Sequence, residues 1–291
     1  MRVHICSLME RLKFPEDAQQ ELLEAFEKTV DHNVFMELQN QYAENEHCDY
    51  KEMLEKAVAL GNELRIHPYT ISLLLFLCLS KTLLEKYRSR GIDERIYYCS
   101  MADLAYKLEE CRLVYGINGS FVAYWFRGFF ALTRFALGRL QFEIVRTAED
   151  FVVDATVIPA GSKAINIHIP RTGTRLCHEQ VLESYQLAAR FFASEFKEGD
   201  IRFICKSWLL DPWNETVLKP GSNLDQFCKD FEIVKAGCYE DYSDLWRLFD
   251  CQYTGDASKL PRDSSLRCAY ADRVARGEPI GWGIGMFIYR Q

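Results

Sequence analysis

At Gly138 the apolar period of the chain changes from about 3.6 residues to two, and that switch limits each half to one kind of structure. Upstream, PEDAQQELLEAFEKTV sets Ala18, Leu22, Phe26 and Val30 on one helical face, with Pro15 suited to the first turn. NVFMELQNQYAENEH and YKEMLEKAVALGNEL read as two more helices, the second broken at Gly61. HPYTISLLLFLCLSKTLLEKYRSRG is apolar on most sides, which places it at the centre of a helical bundle. Ser100-x-x-Asp103 reads as an approximate capping box opening a helix that Gly116 closes. Ser120 then starts an aromatic-rich helix over 121–135.

Downstream the pattern is that of strands. RLQFEIVRT, FVVDATVI and AINIHIP read as successive strands, the last two a hairpin around Pro159-Ala160-Gly161-Ser162. An amphipathic helix over 178–196 follows, with Leu182, Tyr185, Ala189, Phe192 and Phe196 as its stripe. Ile201 to Trp208 is a strand, Asn223 to Phe231 a helix and EIVKAGCY a strand. DLWRLFD and 263–276 are helices, and GWGIGMFIY is the final strand. The fold class is therefore α+β, with a helical domain over 1–137 and a mixed-sheet domain over 138–291.

Bulk properties exclude several functions. With 48% hydrophobic and 13% aromatic residues the chain can bury a sizeable core, which argues against disorder. A net charge of −7 and no long Lys/Arg run argue against a nucleic-acid partner. The N-terminus lacks the apolar run and small-residue site of a signal peptide, and Ile71 to Leu79 is too short for a membrane span. Eleven cysteines without a CxxC pair read as reduced thiols, so the expectation is a cytoplasmic protein with no membrane partner. His47, Cys48 and His67 lack ligand spacing, so no metal is expected.

The strand order after Gly138 resembles the GNAT-type N-acyltransferase core. GRLQFE (138–143), HIP (168–170), CKSWLLDP (205–212) and LPRDSSLRCAYADRV (260–274) also resemble a bacterial family of two-domain proteins inferred to be acyltransferases. In that family a helical N-terminal domain is packed on a GNAT-like domain. The resemblance spans most of residues 10–290. It implies coenzyme A or an acyl-CoA as co-substrate and a small-molecule or peptide amine as acceptor. Where familiar GNAT enzymes carry (Q/R)xxGx(G/A), this chain has Arg171-Thr172-Gly173-Thr174-Arg175, with one glycine and different spacing.

Most of the candidate residues fall in 166–211. The loop Arg171 to Arg175, with Cys177 and His178 at the helix start, offers backbone amides and two guanidinium groups to a pyrophosphate. It also reads as an ordinary strand-to-helix turn. His168 could take a proton from an attacking amine, or be a hydrogen-bonded core histidine. Ser207 could bond the pantetheine arm or the substrate. Asp211 could act as base or orient the amine, or be part of an Asp-Pro turn. Glu143 is a substrate-facing carboxylate or the solvent side of an alternating strand. Cys205 fits core packing better than nucleophilic chemistry. Gly281, Gly283 and Gly285 alternate on one strand face and let a ligand or another backbone approach closely. Two functions follow: an acyl-CoA-dependent N-acyltransferase, or a non-catalytic small-ligand-binding or interaction protein on the same fold.

Overall fold

A computed structural model describes residues 1–196 and 200–290, and the chain forms two compact units, Met1–Ala136 and Leu137–Gln291. The first unit contains α1 (Arg2–Arg11), α2 (Glu16–Thr29), α3 (Asn33–Glu44), α4 (Tyr50–Glu63), α5 (Pro68–Ser89) and α6 (Glu94–Tyr115). A 3-10 turn (Ala123–Phe126) and the short α7 (Arg127–Phe130) follow. α5 packs against α1, α2, α3, α4 and α6. By length and composition α5 could cross a membrane, but 72% of its apolar window is buried, as in a core helix. Phe76 anchors this core, with the rings of Phe130 at 4.9 Å and Phe126 at 5.1 Å.

Three helical expectations are corrected. α4 runs unbroken through Gly61, which is glycine because a Cβ there would lie 2.8 Å from Ile71 Cγ2. Ser100 and Asp103 are buried in mid-helix, and the cap of α6 is Asp93, whose carboxylate accepts the Arg95 amide. Gly116 closes that helix in the left-handed conformation, as the sequence indicates. Residues 121–135 are not one helix. Leu132 adopts a positive φ of 55°, and the chain turns there into β1 (Arg134–Leu137).

The second unit contains β2 (Leu140–Arg146), β3 (Phe151–Val153), β4 (Thr156–Ile158), β5 (Lys163–His168), α8 (His178–Phe191), β6 (Ile201–Ser207), α9 (Asn223–Lys229), β7 (Glu232–Cys238), α10 (Trp246–Phe249), α11 (Ser265–Ala275) and β8 (Gly281–Tyr289). The main sheet is ordered β1-β2-β5-β6-β8-β7, and β5 and β6 run parallel. The expected 151–158 strand is instead a separate hairpin, β3–β4, and β5 pairs with β2. Asp154 and Ala155, both at positive φ, fold that segment back on itself.

Strand alternation assigns the faces. Phe142, Phe203 and Phe287 lie on one face, where α8 places the Tyr185 ring 4.9 Å from Phe287. The hairpin residues Phe151, Val153 and Ile158 pack on Ile204, Met286 and Ile288 of the other face. The buried stripe of α8 is Val181, Ser184, Tyr185, Ala188 and Ala189. Leu182, expected in that stripe, is 43% exposed, because the helix is rotated by one position toward Ser184.

Candidate functional site

The parallel strands β5 and β6 are paired only at Ile165–Phe203 and Asn166–Ile204, whereas β2 and β5 share six pairs and β6 and β8 seven. The register is lacking on both sides of these two pairs, at Lys163 and Ala164 as well as past Asn166. His168 closes β5 and Ser207 closes β6 at the carboxyl ends of this parallel pair, the end at which open sheets gather ligands.

At this edge the structure brings Glu143, Asn166 and His168 together on the sheet face opposite α8. Glu143 on β2 stands across from Asn166 in register, and its Oε1 lies 2.7 Å from His168 Nε2. Asn166 Nδ2 donates to the same Oε1 at 3.3 Å and lies 3.2 Å from the imidazole. All three are part-buried. A carboxylate on one ring nitrogen fixes the tautomer and stabilises the imidazolium once it forms. Sequence reasoning treated Glu143 and His168 separately. The link between them is the antiparallel β2–β5 register, which brings these residues, 25 positions apart, together with no local signal.

The loop after β5 is held from several sides. Arg139 Nη1 donates to the Pro170 carbonyl at 3.0 Å, and the Arg139 amide donates to Ser184 Oγ on α8 at 2.7 Å. Gly138, at φ 71°, is glycine because a Cβ would lie 2.6 Å from that Oγ. Arg171, expected at a pyrophosphate, is paired with Asp250 at 2.8 Å, and Arg267 contacts the same carboxylate. Thr172 and Thr174 share a hydroxyl bond of 2.8 Å across Gly173, which turns at φ 73°. Arg175 is exposed, and among the described residues its guanidinium has no ion-pair partner. Cys177 is the N-cap of α8 and makes no side-chain cap, so the first-turn amides stay available to an anion. His178 Nε2 lies 2.8 Å from Asp230, which also accepts from Tyr185 at 3.2 Å. Burial pushes the Asp230 carboxyl up, with the His178 contact opposing it.

Ser207 Oγ accepts the Leu209 amide at 3.1 Å and so caps the 3-10 turn Trp208–Leu210. Asp211, expected as base or amine-orienting group, is instead sealed in a buried ion pair with Arg273 at 2.7 Å. Its second oxygen accepts the Trp213 amide at 3.1 Å. The glycines of β8 explain why that turn can sit there. A Cβ on Gly283 would lie 1.9 Å from the Leu210 carbonyl, and one on Gly281 2.3 Å from the Asp211 carboxylate. The close neighbour of these glycines is the protein's own chain. Cys205 is fully buried, and burial pushes its thiol up to about 12, so it is an inert core residue. All eleven cysteines are free thiols. Among the described residues no cluster of three or more His, Cys, Asp or Glu could hold a metal ion.

A mixed sheet with one parallel pair, joined through the helix α8, fits the GNAT-like class of acyltransferase folds. The chain belongs to the family with a GNAT-like C-terminal domain, whose model matches residues 134–287, and an N-acyltransferase N-terminal domain matches residues 4–132. The whole chain is also similar to solved structures of an acyltransferase. One, in complex with decanoyl-CoA and teicoplanin, superposes with a TM-score of 0.76 at 21% identity, covering 98% of this chain and 87% of that one. A complex with decanoyl-CoA gives a TM-score of 0.74, and one with CoA and 10C-teicoplanin gives 0.76, both at the same identity and coverage. Comparison with curated proteins found no match.

Proposed function

We propose that the protein is an acyl-CoA-dependent N-acyltransferase that transfers an acyl group to an amine. The observation that carries this reading is the Glu143–His168 pair at the carboxyl end of β5, beside the parallel strand β6. The family and the acyl-CoA complexes of structurally similar acyltransferases support it. The pyrophosphate would lie against the α8 first-turn amides, Arg175 and the loop 171–175. The pantetheine arm would run past the carboxyl ends of β5 and β6 toward His168. There the backbone amides of β6 beyond Ile204 have no β5 partner in the described pairing and can polarise the thioester carbonyl.

With Nε2–H donated to Glu143, the imidazole lone pair sits on Nδ1. The amine nitrogen attacks the thioester carbon, and the carbonyl electron pair moves to oxygen. His168 takes the amine proton, the C–S bond breaks, and the imidazolium returns the proton to the leaving thiolate. The products are an amide and free coenzyme A. Asp211 has no part in this scheme, because one of its oxygens is in the buried ion pair with Arg273 and the other accepts the Trp213 amide. The reading also places the protein in the cytoplasm, where acyl-CoA is supplied.

The test is steady-state acyl transfer from a panel of acyl-CoAs to primary amines. His168→Ala should lower kcat about 10²–10⁴-fold. Acyl-CoA binding without turnover to any amine would favour the non-catalytic binding protein instead.

A further inference from the structure

The connection from β7 to β8 builds a small, partly open pocket beyond the end of β6. Its walls are the rings of Trp208, Tyr239, Tyr242 and Tyr270, with Leu248 and Ile280 between them. Two of the hydroxyls are already used. Tyr270 donates to Asn214 Oδ1 at 2.8 Å, and Tyr242 donates to the Glu278 carbonyl at 2.8 Å. Those rings therefore offer the pocket apolar surface rather than polar tips. Asp241, Asp244 and Arg247 also line it. Asp244 is paired with Arg247 at 3.2 Å, while Asp241 is exposed and its carboxylate accepts the Ser243 amide at 2.9 Å. The lining thus keeps one carboxylate without a cationic partner among the described residues.

Contacts of the loop that leaves His168 tie it to the segment that walls this pocket. Arg171, three residues past His168, is paired with Asp250, which directly follows α10 and its Leu248. Arg267 contacts that same carboxylate and donates to the Leu248 carbonyl at 2.8 Å.

We propose that this pocket selects the acceptor, a primary amine on an aromatic or branched apolar body; this rests on the N-acyltransferase reading above. The body fills the ring-walled pocket, and the ammonium is drawn by Asp241. An acyl chain would need no carboxylate there, and the phosphates of coenzyme A would be repelled by one.

Calorimetry on the full chain tests this with 2-phenylethylamine, 2-phenylethanol and decanoyl-CoA. The amine should bind at least tenfold more tightly than the alcohol. Leu248→Trp, which fills the pocket, should weaken amine binding more than tenfold and leave decanoyl-CoA binding unchanged. Asp241→Asn, at an exposed position where the amide oxygen can still accept from Ser243, should erase the preference for amine over alcohol without weakening the alcohol. Equal binding of amine and alcohol, or wild-type amine binding by both folded variants, overturns the proposal. Decanoyl-CoA binding without amine binding overturns the pocket assignment and leaves the acyltransferase reading standing. Amine binding that both variants impair, in a chain that binds no decanoyl-CoA, supports the pocket and removes the enzyme.

Discussion

At the scale of single residues, the informative pair is Glu143 and His168. A carboxylate 2.7 Å from an imidazole positions the ring and makes it a better base. Glu143→Gln should therefore lower kcat more than it raises KM, by less than His168→Ala does. The acid limb of the kcat/KM profile, which rises as the imidazole loses its proton, should disappear in His168→Ala; an unchanged limb would assign the proton transfer to another group. A second residue-scale prediction concerns stability. Arg90 and then Lys86 hold the Glu46 carboxyl at about 2, below its ordinary 4.5. Its contribution is fully present above pH 4.5 and is lost as the pH falls toward 2. After solvent screening this is about 1 kcal/mol. Glu46→Gln should lower the melting temperature at neutral pH, with the difference closing as the pH approaches 2.

At the scale of elements, the loop that leaves β5 and the strand β8 do different work. The loop presents uncapped α8 amides and Arg175, while Arg171 is tied to Asp250. Arg175→Ala should weaken coenzyme A binding by about 1–3 kcal/mol if it makes a charge-assisted contact. Arg171→Ala should act partly through stability, because it leaves Asp250 with one guanidinium fewer. Comparing calorimetric Kd with melting temperature separates the two. On β8, Gly283→Ala would force a methyl against the Leu210 carbonyl, where 1.9 Å is available. The turn over 208–211 must then move, at a cost of about 3 kcal/mol. Chemical denaturation should show that loss, and a neutral result would mean the turn can shift freely.

At the scale of the whole molecule, ligand binding should register as global stabilisation. An acyl-CoA at a hundredfold its Kd should add about 2.7 kcal/mol to the stability of the unit that binds it. Thermal denaturation across a series of acyl-chain lengths would reveal which acyl group is preferred. Within the first unit, α5 is the helix that five others contact and its residues 71–80 are all buried, so its amides should exchange most slowly. Fast exchange there would contradict its place as the core helix.

The sequence alone determined the class of structure, because apolar periodicity is local and each half has its own period. It placed α5 at the centre, Gly116 at a helix end, and the strands of β2, β5, β6, β7 and β8 within a residue or two. It did not determine which strands pair. The 151–158 segment alternates like a sheet strand, yet two positive-φ residues fold it into its own hairpin and leave β5 to β2. That long-range choice creates the Glu143–His168 contact, so the site could be read only as separate residues. The same holds for Asp211 and Arg273, 62 positions apart, whose burial together turned a candidate base into a packing element. Local chemistry sets what each residue can do. Register and burial, set by contacts across the fold, decided which residues meet.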